Sequence, residues 1–232
     1  MNRFILLLVS SILIATTPAA LGAGSGGGGG SLSAPSTSRG YSPEQLSERA
    51  LRAGIRHRDK ALKHEARAAK AKNDKSKQRS LAKAEKEFQK AIEKQGEAIR
   101  LDSQNYKAAN ELGYALRKTG DYRKAIGAYN FALKINPNFH QATEYRAEAF
   151  LALGLLDLTR DSYMILFRND RELADELMTK FDAWGAAREA EFSEQEQTFW
   201  SWVQERKRIA QMANELSLHS PAAPSSHHWP SI

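Results

Sequence analysis

The sequence predicts an all-α fold: a short solenoid of helix-turn-helix pairs, preceded by an extended N-terminal helical hairpin and closed by C-terminal capping helices. Three observations carry this expectation. Sliding the chain against itself brings like residues together at an offset of 34 positions, a period typical of stacked helix pairs. From Ser42 onward the apolar residues recur at helical spacing almost without interruption. Cysteine is absent while 41% of the residues are hydrophobic, so the fold must rest on packing, and 232 residues suffice for one well-buried unit with tails.

Taken in order, the chain opens with Arg3, an apolar run over residues 4–15, Pro18 and then small residues through Ala23. This is the pattern of an export signal over residues 1–23, cut after Gly22 or Ala23. The run of about a dozen residues falls short of the roughly 18–20 that cross a bilayer, so no stable membrane span is expected after cleavage and the chain should be periplasmic or secreted. Residues 24–41 are dominated by Gly and Ser and read as a flexible linker, because they cannot bury enough apolar surface to offset their chain entropy. Structure should begin at Ser42, Pro43, Glu44 and Gln45, where Ser can cap, Pro suits the first helical position and Gln45 can complete a capping box.

Residues 42–105 read as a long basic helical hairpin that merges into a degenerate repeat, with its joint near Asn73 and Asp74. Leu51, Ile55, Leu62, Ala66 and Ala69 give the first helix a heptad-like stripe; Leu81, Ala84, Phe88, Ala91 and Gln95 give one to the second. The 34-residue register then pairs Phe88 with Tyr122, Ala91 with Ala125, Ala98 with Ala132, Gly120 with Gly154 and Tyr129 with Tyr163. Its best unit is 106–139, carrying Leu112, Gly113, Leu116, Gly120-Asp121-Tyr122, Ala125, Tyr129, Ala132 and Pro137. Small Gly113 and Ala132 let two helices approach, large Tyr122, Tyr129 and Leu112 fill the space beside them, and Gly120 permits the positive φ that ends the first helix. Asn136-Pro137, and Asp102-Ser103 one unit earlier, are expected to cap the helices that follow.

These residues resemble the tetratricopeptide repeat family, whose 34-residue helix-turn-helix places Leu-Gly, an aromatic, Ala, a second aromatic and Pro at fixed offsets. The unit departs from that pattern at Ala109, where Trp is common, and at Leu116, where Tyr is usual. Residues 140–170 read as a degenerate second repeat, with Thr159 and Leu166 at positions where smaller residues are usual and Arg168-Asn169-Asp170 in place of the Pro motif. Two further helices, one from Arg171 to about Trp184 and one from Ala186 to about Leu216, should cover the last apolar face as a cap over 171–216. Residues 217–232 are expected to be a disordered tail.

The formal charge of +7 is concentrated. Between residues 52 and 94 there are fifteen Lys or Arg against six Asp or Glu. In an exported chain this basic face suits water or an anionic envelope polymer better than nucleic acid. No nucleophile-base set, phosphate loop or metal cluster is legible, so neither enzyme activity nor a cofactor or metal is expected. His57 and His64 share a helix face without a carboxylate at i+4 and read as surface residues. Glu144 and Glu148, at i and i+4, read as an exposed like-charged pair. Trp200 and Trp202 read as one core residue and one contact residue.

The resemblance implies a scaffold that binds a partner protein or peptide on its concave face. In that family the positions two, five, six, nine and twelve into each repeat line the groove. Carried over, they give Lys107, Asn110, Glu111, Tyr114 and Arg117, then Gln141, Glu144, Tyr145, Glu148 and Leu151. Two tyrosines among mixed charges suit a peptide with polar and apolar handholds. The glutamates of the second unit disfavour a groove dedicated to a C-terminal carboxylate.

Overall fold

The computed structural model describes residues 40–188 and 191–219, which form eight helices and no strand among the described residues. The expected signal over 1–23, residues 24–39 of the linker and residues 220–232 of the tail lie outside the described residues. The first three residues assigned to that tail, 217–219, belong instead to the last helix.

Helix α1 (Pro43–Ala69) starts with the expected capping box: the Gln45 amide donates to Ser42 Oγ, and the Ser42 amide donates to Gln45 Oε1 at 2.9 Å. Asn73 caps α2 (Asp74–Leu101) by accepting from the Ser76 amide at 2.9 Å. The two form the hairpin, with α1 running about 40 Å at 1.5 Å per residue. Its seam keeps Leu51, Ala84, Phe88, Ala91 and Gln95 of the stripe expected from sequence, with Ile55 and Leu62 packed beside them, and departs from it toward the tip. Leu51, Gly54, Ala61 and Ala68 are buried while Ala66 and Ala69 are exposed, and on α2 Leu81 is exposed. Near the base Gly54 leaves room for the Gln95 side chain, whose amide a Cβ there would overlap. Gln95 Nε2 donates to Leu51 O at 3.3 Å and Ser47 Oγ to Ala98 O at 2.8 Å, while Gln95 Oε1 is buried without a hydrogen-bond partner.

Helices α3 (Tyr106–Lys118) and α4 (Tyr122–Ile135) form the strong repeat. A Cβ on Gly113 would lie 2.5 Å from Tyr129 Cε1, so glycine is what allows the fully buried Tyr129 to fill the crossing. Gly120 has φ of 85° and the Asp121 amide reaches back to Leu116 O at 2.9 Å, a Schellman closure of α3. Gly154, at φ 70°, and Leu155 repeat that closure between α5 (His140–Ala152) and α6 (Leu156–Asn169).

The turns after α2 and α4 correct the expected capping. Asp102 and Asn136 are extended residues that end the preceding helices, and Asn105 is the true cap of α3, accepting from the Ala108 amide at 2.9 Å. Phe139 precedes α5 without a side-chain cap. Asn136 is spent locally, its side chain accepting from the Asn138 amide. An Asn-Pro pair marks a turn from either side, and only the backbone decides which helix it serves.

Helices α7 (Arg171–Ala186) and α8 (Glu194–His219) complete the described structure; α7 runs two residues past Trp184, its expected end. Asp170 alone separates α6 from α7, ending one and capping the other through the Leu173 amide. Leu166, large where the repeat pattern has a small residue, is fully buried in the cluster that joins α6 to Leu177, Phe181, Phe199 and Val203. Trp200 and Trp202 both turn toward this layer: Trp200 lies over Gly185 and tilts against Trp184, and Trp202 stacks on Phe199 at 5.7 Å. The expected division of one core and one contact tryptophan therefore does not hold. Ile209, farther along α8, is exposed.

Each helix packs on the next, and α1, α3, α5 and α7 also pack side by side. The first helices of successive pairs thus form one continuous inner wall. Helix α7, expected as cap alone, extends it.

Candidate functional site

The inner wall is polar and aromatic where its four helices meet. Tyr114 of α3 and Tyr145 of α5 have ring centroids 5.2 Å apart, and Tyr129 from the core lies 6.2 Å from Tyr145. The Arg117 guanidinium lies 5.3 Å from the Tyr114 centroid and 5.1 Å from that of Tyr145, and bonds to Glu148. An arginine held over two rings and paired with a carboxylate is largely satisfied within the protein. Further along, Arg58 of α1 donates to Glu111 of α3 at 2.6 Å, and Lys118 pairs with Glu65 at 2.9 Å. Burial raises the Glu111 carboxyl and the adjacent Arg58 charge opposes that rise.

Between α3, α5 and α7 these residues enclose a cavity of about 260 Å³. Glu144 and Glu148 line it from α5, Tyr114, Arg117 and Lys118 from α3, and Glu176 and Lys180 from α7. The glutamate pair that reads as exposed in sequence is therefore an inner feature, and Glu144 is only 1% exposed. What covers it is α7, which the spacing of residues 144 and 148 could not reveal.

Of the residues carried over by position, Glu111, Tyr114, Arg117, Glu144, Tyr145 and Glu148 come together on the wall. Lys107 is exposed beside the Tyr106 ring, and Gln141 is half-buried. Asn110 is buried, with its Oδ1 unbonded, and Leu151 is 6% exposed inside the cluster shared with α7. Leu151 serves packing. Arg58, Glu65, Lys118, Glu176 and Lys180 are wall residues that the repeat register did not reach. For α7 the reason is visible: α5 starts 34 residues after α3 (106 to 140), but α7 only 31 after α5 (140 to 171), since Asp170 replaces a four-residue turn. His57, expected at the surface, is half-buried and bonds Glu87 across the hairpin at 2.7 Å.

Burial, followed by the neighbouring Glu148 charge, pushes the Glu144 carboxyl up to about 8 from an ordinary 4.5, against the pull of Arg117. The folded state therefore keeps a proton that the unfolded chain has released. The stability linked to it is complete below pH 4.5 and is lost as pH rises through about 8. Glu144→Gln should remove that loss. Its unfolding free energy from urea titration should exceed that of the parent near pH 9, by on the order of 1–2 kcal/mol, and approach it near pH 5. Glu87 acts in the opposite sense: hydrogen bonds from Lys90 and His57 lower it to about 2, so its contribution is present above pH 4.5 and lost as pH falls toward 2.

No described helix is long and apolar enough to cross a membrane. No curated protein matches the chain. The tetratricopeptide repeat family matches residues 106–139, the helix pair α3–α4 in which Gly113, Gly120, Tyr129 and Ala132 make the close crossing. With that match, the chain carries a tetratricopeptide repeat at 106–139, set in a described structure of stacked antiparallel helix pairs.

Proposed function

We propose that this protein is a non-enzymatic adaptor of the cell envelope, which holds a partner protein or peptide against the inner wall formed by α1, α3, α5 and α7. Tetratricopeptide repeats generally mediate protein–protein interaction. The observation that carries the reading here is the cluster of Tyr114, Tyr145, Arg117, Glu144 and Glu148 around one cavity on that wall. Tyr offers a large contact area at low entropic cost, and partly enclosed charges confer selectivity. The export-signal pattern over residues 1–23 supports the envelope.

A photocrosslinking phenylalanine derivative at Lys180, on the wall, should capture a discrete partner in intact cells. The same residue at Leu158, exposed on α6, should not. Equal capture from both positions would remove the inner wall as the binding face. Signal cleavage is checked in the same cells by N-terminal sequencing of the envelope fraction.

A second reading concerns the hairpin, where Lys60, Lys63, Lys70, Lys72, Lys75 and Lys77 are all exposed. This surface suits an anionic envelope polymer. Retention on immobilised lipopolysaccharide should fall steeply between low salt and about 0.5 M salt, where the Debye length shrinks below roughly 5 Å. Replacing those six lysines by glutamine should abolish it; retention indifferent to salt would count against the hairpin.

A further inference from the structure

Glu144 is enclosed to 1% exposure, lines the cavity between α3, α5 and α7, and has an Oε2 that makes no hydrogen bond. The cations around it are engaged elsewhere or stand away. Arg117 is bonded to Glu148 and held between two tyrosine rings, Lys118 is bonded to Glu65, and Lys180 lies exposed at the rim on α7. A buried carboxyl with one unpartnered oxygen and another glutamate, Glu148, as its hydrogen-bonding neighbour is costly to ionise, and that cost is relieved when a cation reaches it.

Taking the inner wall as the partner-binding face, we infer that this cavity receives the terminal cation of a lysine or arginine side chain from the partner, with Glu144 as its acceptor. A ligand carboxylate is the poorer match, because the deep end of the cavity presents Glu144 and Glu148 while its one deep cation, Arg117, is already paired. Glu176 at the rim adds a carboxylate on the entry path, and Lys180 beside it opposes a cation from the same helix. Tyr114 and Tyr145 wall the cavity, and Glu111, farther along, is already paired with Arg58. Glu144 carries a proton near neutrality because burial and Glu148 raise its affinity for one. The incoming cation takes the place of that proton, so binding releases it to solvent.

The test is an NMR titration of the full chain, labelled with ¹³C at the glutamate carboxyls, at about pH 7. The probes are Nα-acetyl-lysine methylamide, its arginine counterpart, Nε-acetylated lysine in the same blocked form, and Nα-acetyl-glutamate methylamide. The lysine or arginine probe should saturate, shift amides of α3, α5 and α7, and move the Glu144 carboxyl carbon in the direction of deprotonation; which of the two binds tighter names the side chain. The acetylated lysine and the glutamate probe should not saturate. Glu144→Gln, whose fold should be the steadier of the two at this pH, should weaken the lysine probe about tenfold. Lys180→Glu, an exposed change that leaves the cavity floor intact, should tighten it by about threefold. Equal binding of acetylated lysine, tighter binding of the glutamate probe, or a Glu144 carboxyl that does not respond would overturn the proposal. If the lysine and arginine probes fail while the Lys180 crosslink still captures a partner, this inference falls alone; if both fail, the binding-face reading falls with it.

Discussion

Tyr129→Ala should destabilise the protein by about 3–5 kcal/mol, the largest effect expected from a single change in the repeat. Tyr129 is fully buried, its ring lies in the space left by Gly113, and it supports Tyr145 at 6.2 Å behind the inner wall. Truncation removes that apolar burial and leaves a void that two rigid helices cannot easily close. The ring, not the hydroxyl, carries the effect. The hydroxyl is buried without a hydrogen-bond partner, so Tyr129→Phe should lie within about 1 kcal/mol of the parent. Gly113→Ala supplies the complementary test. Alone it drives a methyl to 2.5 Å from Tyr129 Cε1 and should cost about 1–3 kcal/mol. With Tyr129 already replaced by alanine, that clash is gone and the higher helix propensity of alanine should make the change neutral or stabilising. Chemical denaturation of the four species closes the cycle, and a coupling energy near zero would show that the two residues do not meet as described.

What was legible in the sequence follows from how tightly each position is constrained. Gly113, Gly120, Ala132 and Tyr129 stand out because one residue type alone satisfies a close crossing, a positive φ or a filled gap. The pattern of 106–139 could be read from them without neighbours. The hairpin seam could be read only in part. In an alanine-rich helix Ala61 and Ala66, or Ala68 and Ala69, are chemically identical, and the choice between them depends on how the other helix packs, as where Gly54 meets Gln95. The site was half legible for a related reason. Family positions led to Tyr114, Arg117, Tyr145 and the glutamates, but the enclosure of Glu144 depends on α7, whose start falls three residues early of the 34-residue register (174 − 171). Arg58 and Glu65 reach the wall from a helix too long for the repeat pattern, so no offset pointed to them.

Phe181→Ala should have an effect of similar size, about 3–5 kcal/mol, but confined to one end of the molecule. Phe181 is fully buried and meets Tyr163 of α6 at 6.0 Å and Phe199 and Trp202 of α8 at 5.3 and 6.4 Å. It is therefore the point at which α7 and α8 are joined to each other and to the pair before them. In a stacked array each helix pair is stabilised chiefly by its neighbours, so damage at the last interface loosens the last pair before the rest. Hydrogen exchange should show protection lost across α7 and α8 while α3 and α4 keep theirs, and denaturation should broaden or split into two transitions. Uniform loss of protection from α1 to α8 would mean that the array unfolds as one block. The local outcome has a consequence for binding. Glu176 and Lys180 form the α7 side of the cavity around Glu144, so a frayed α7 re-exposes that carboxyl to water. The proton it holds near neutrality should then be released, and the fall in stability between pH 4.5 and about 8 that marks the parent should be absent from the loosened variant.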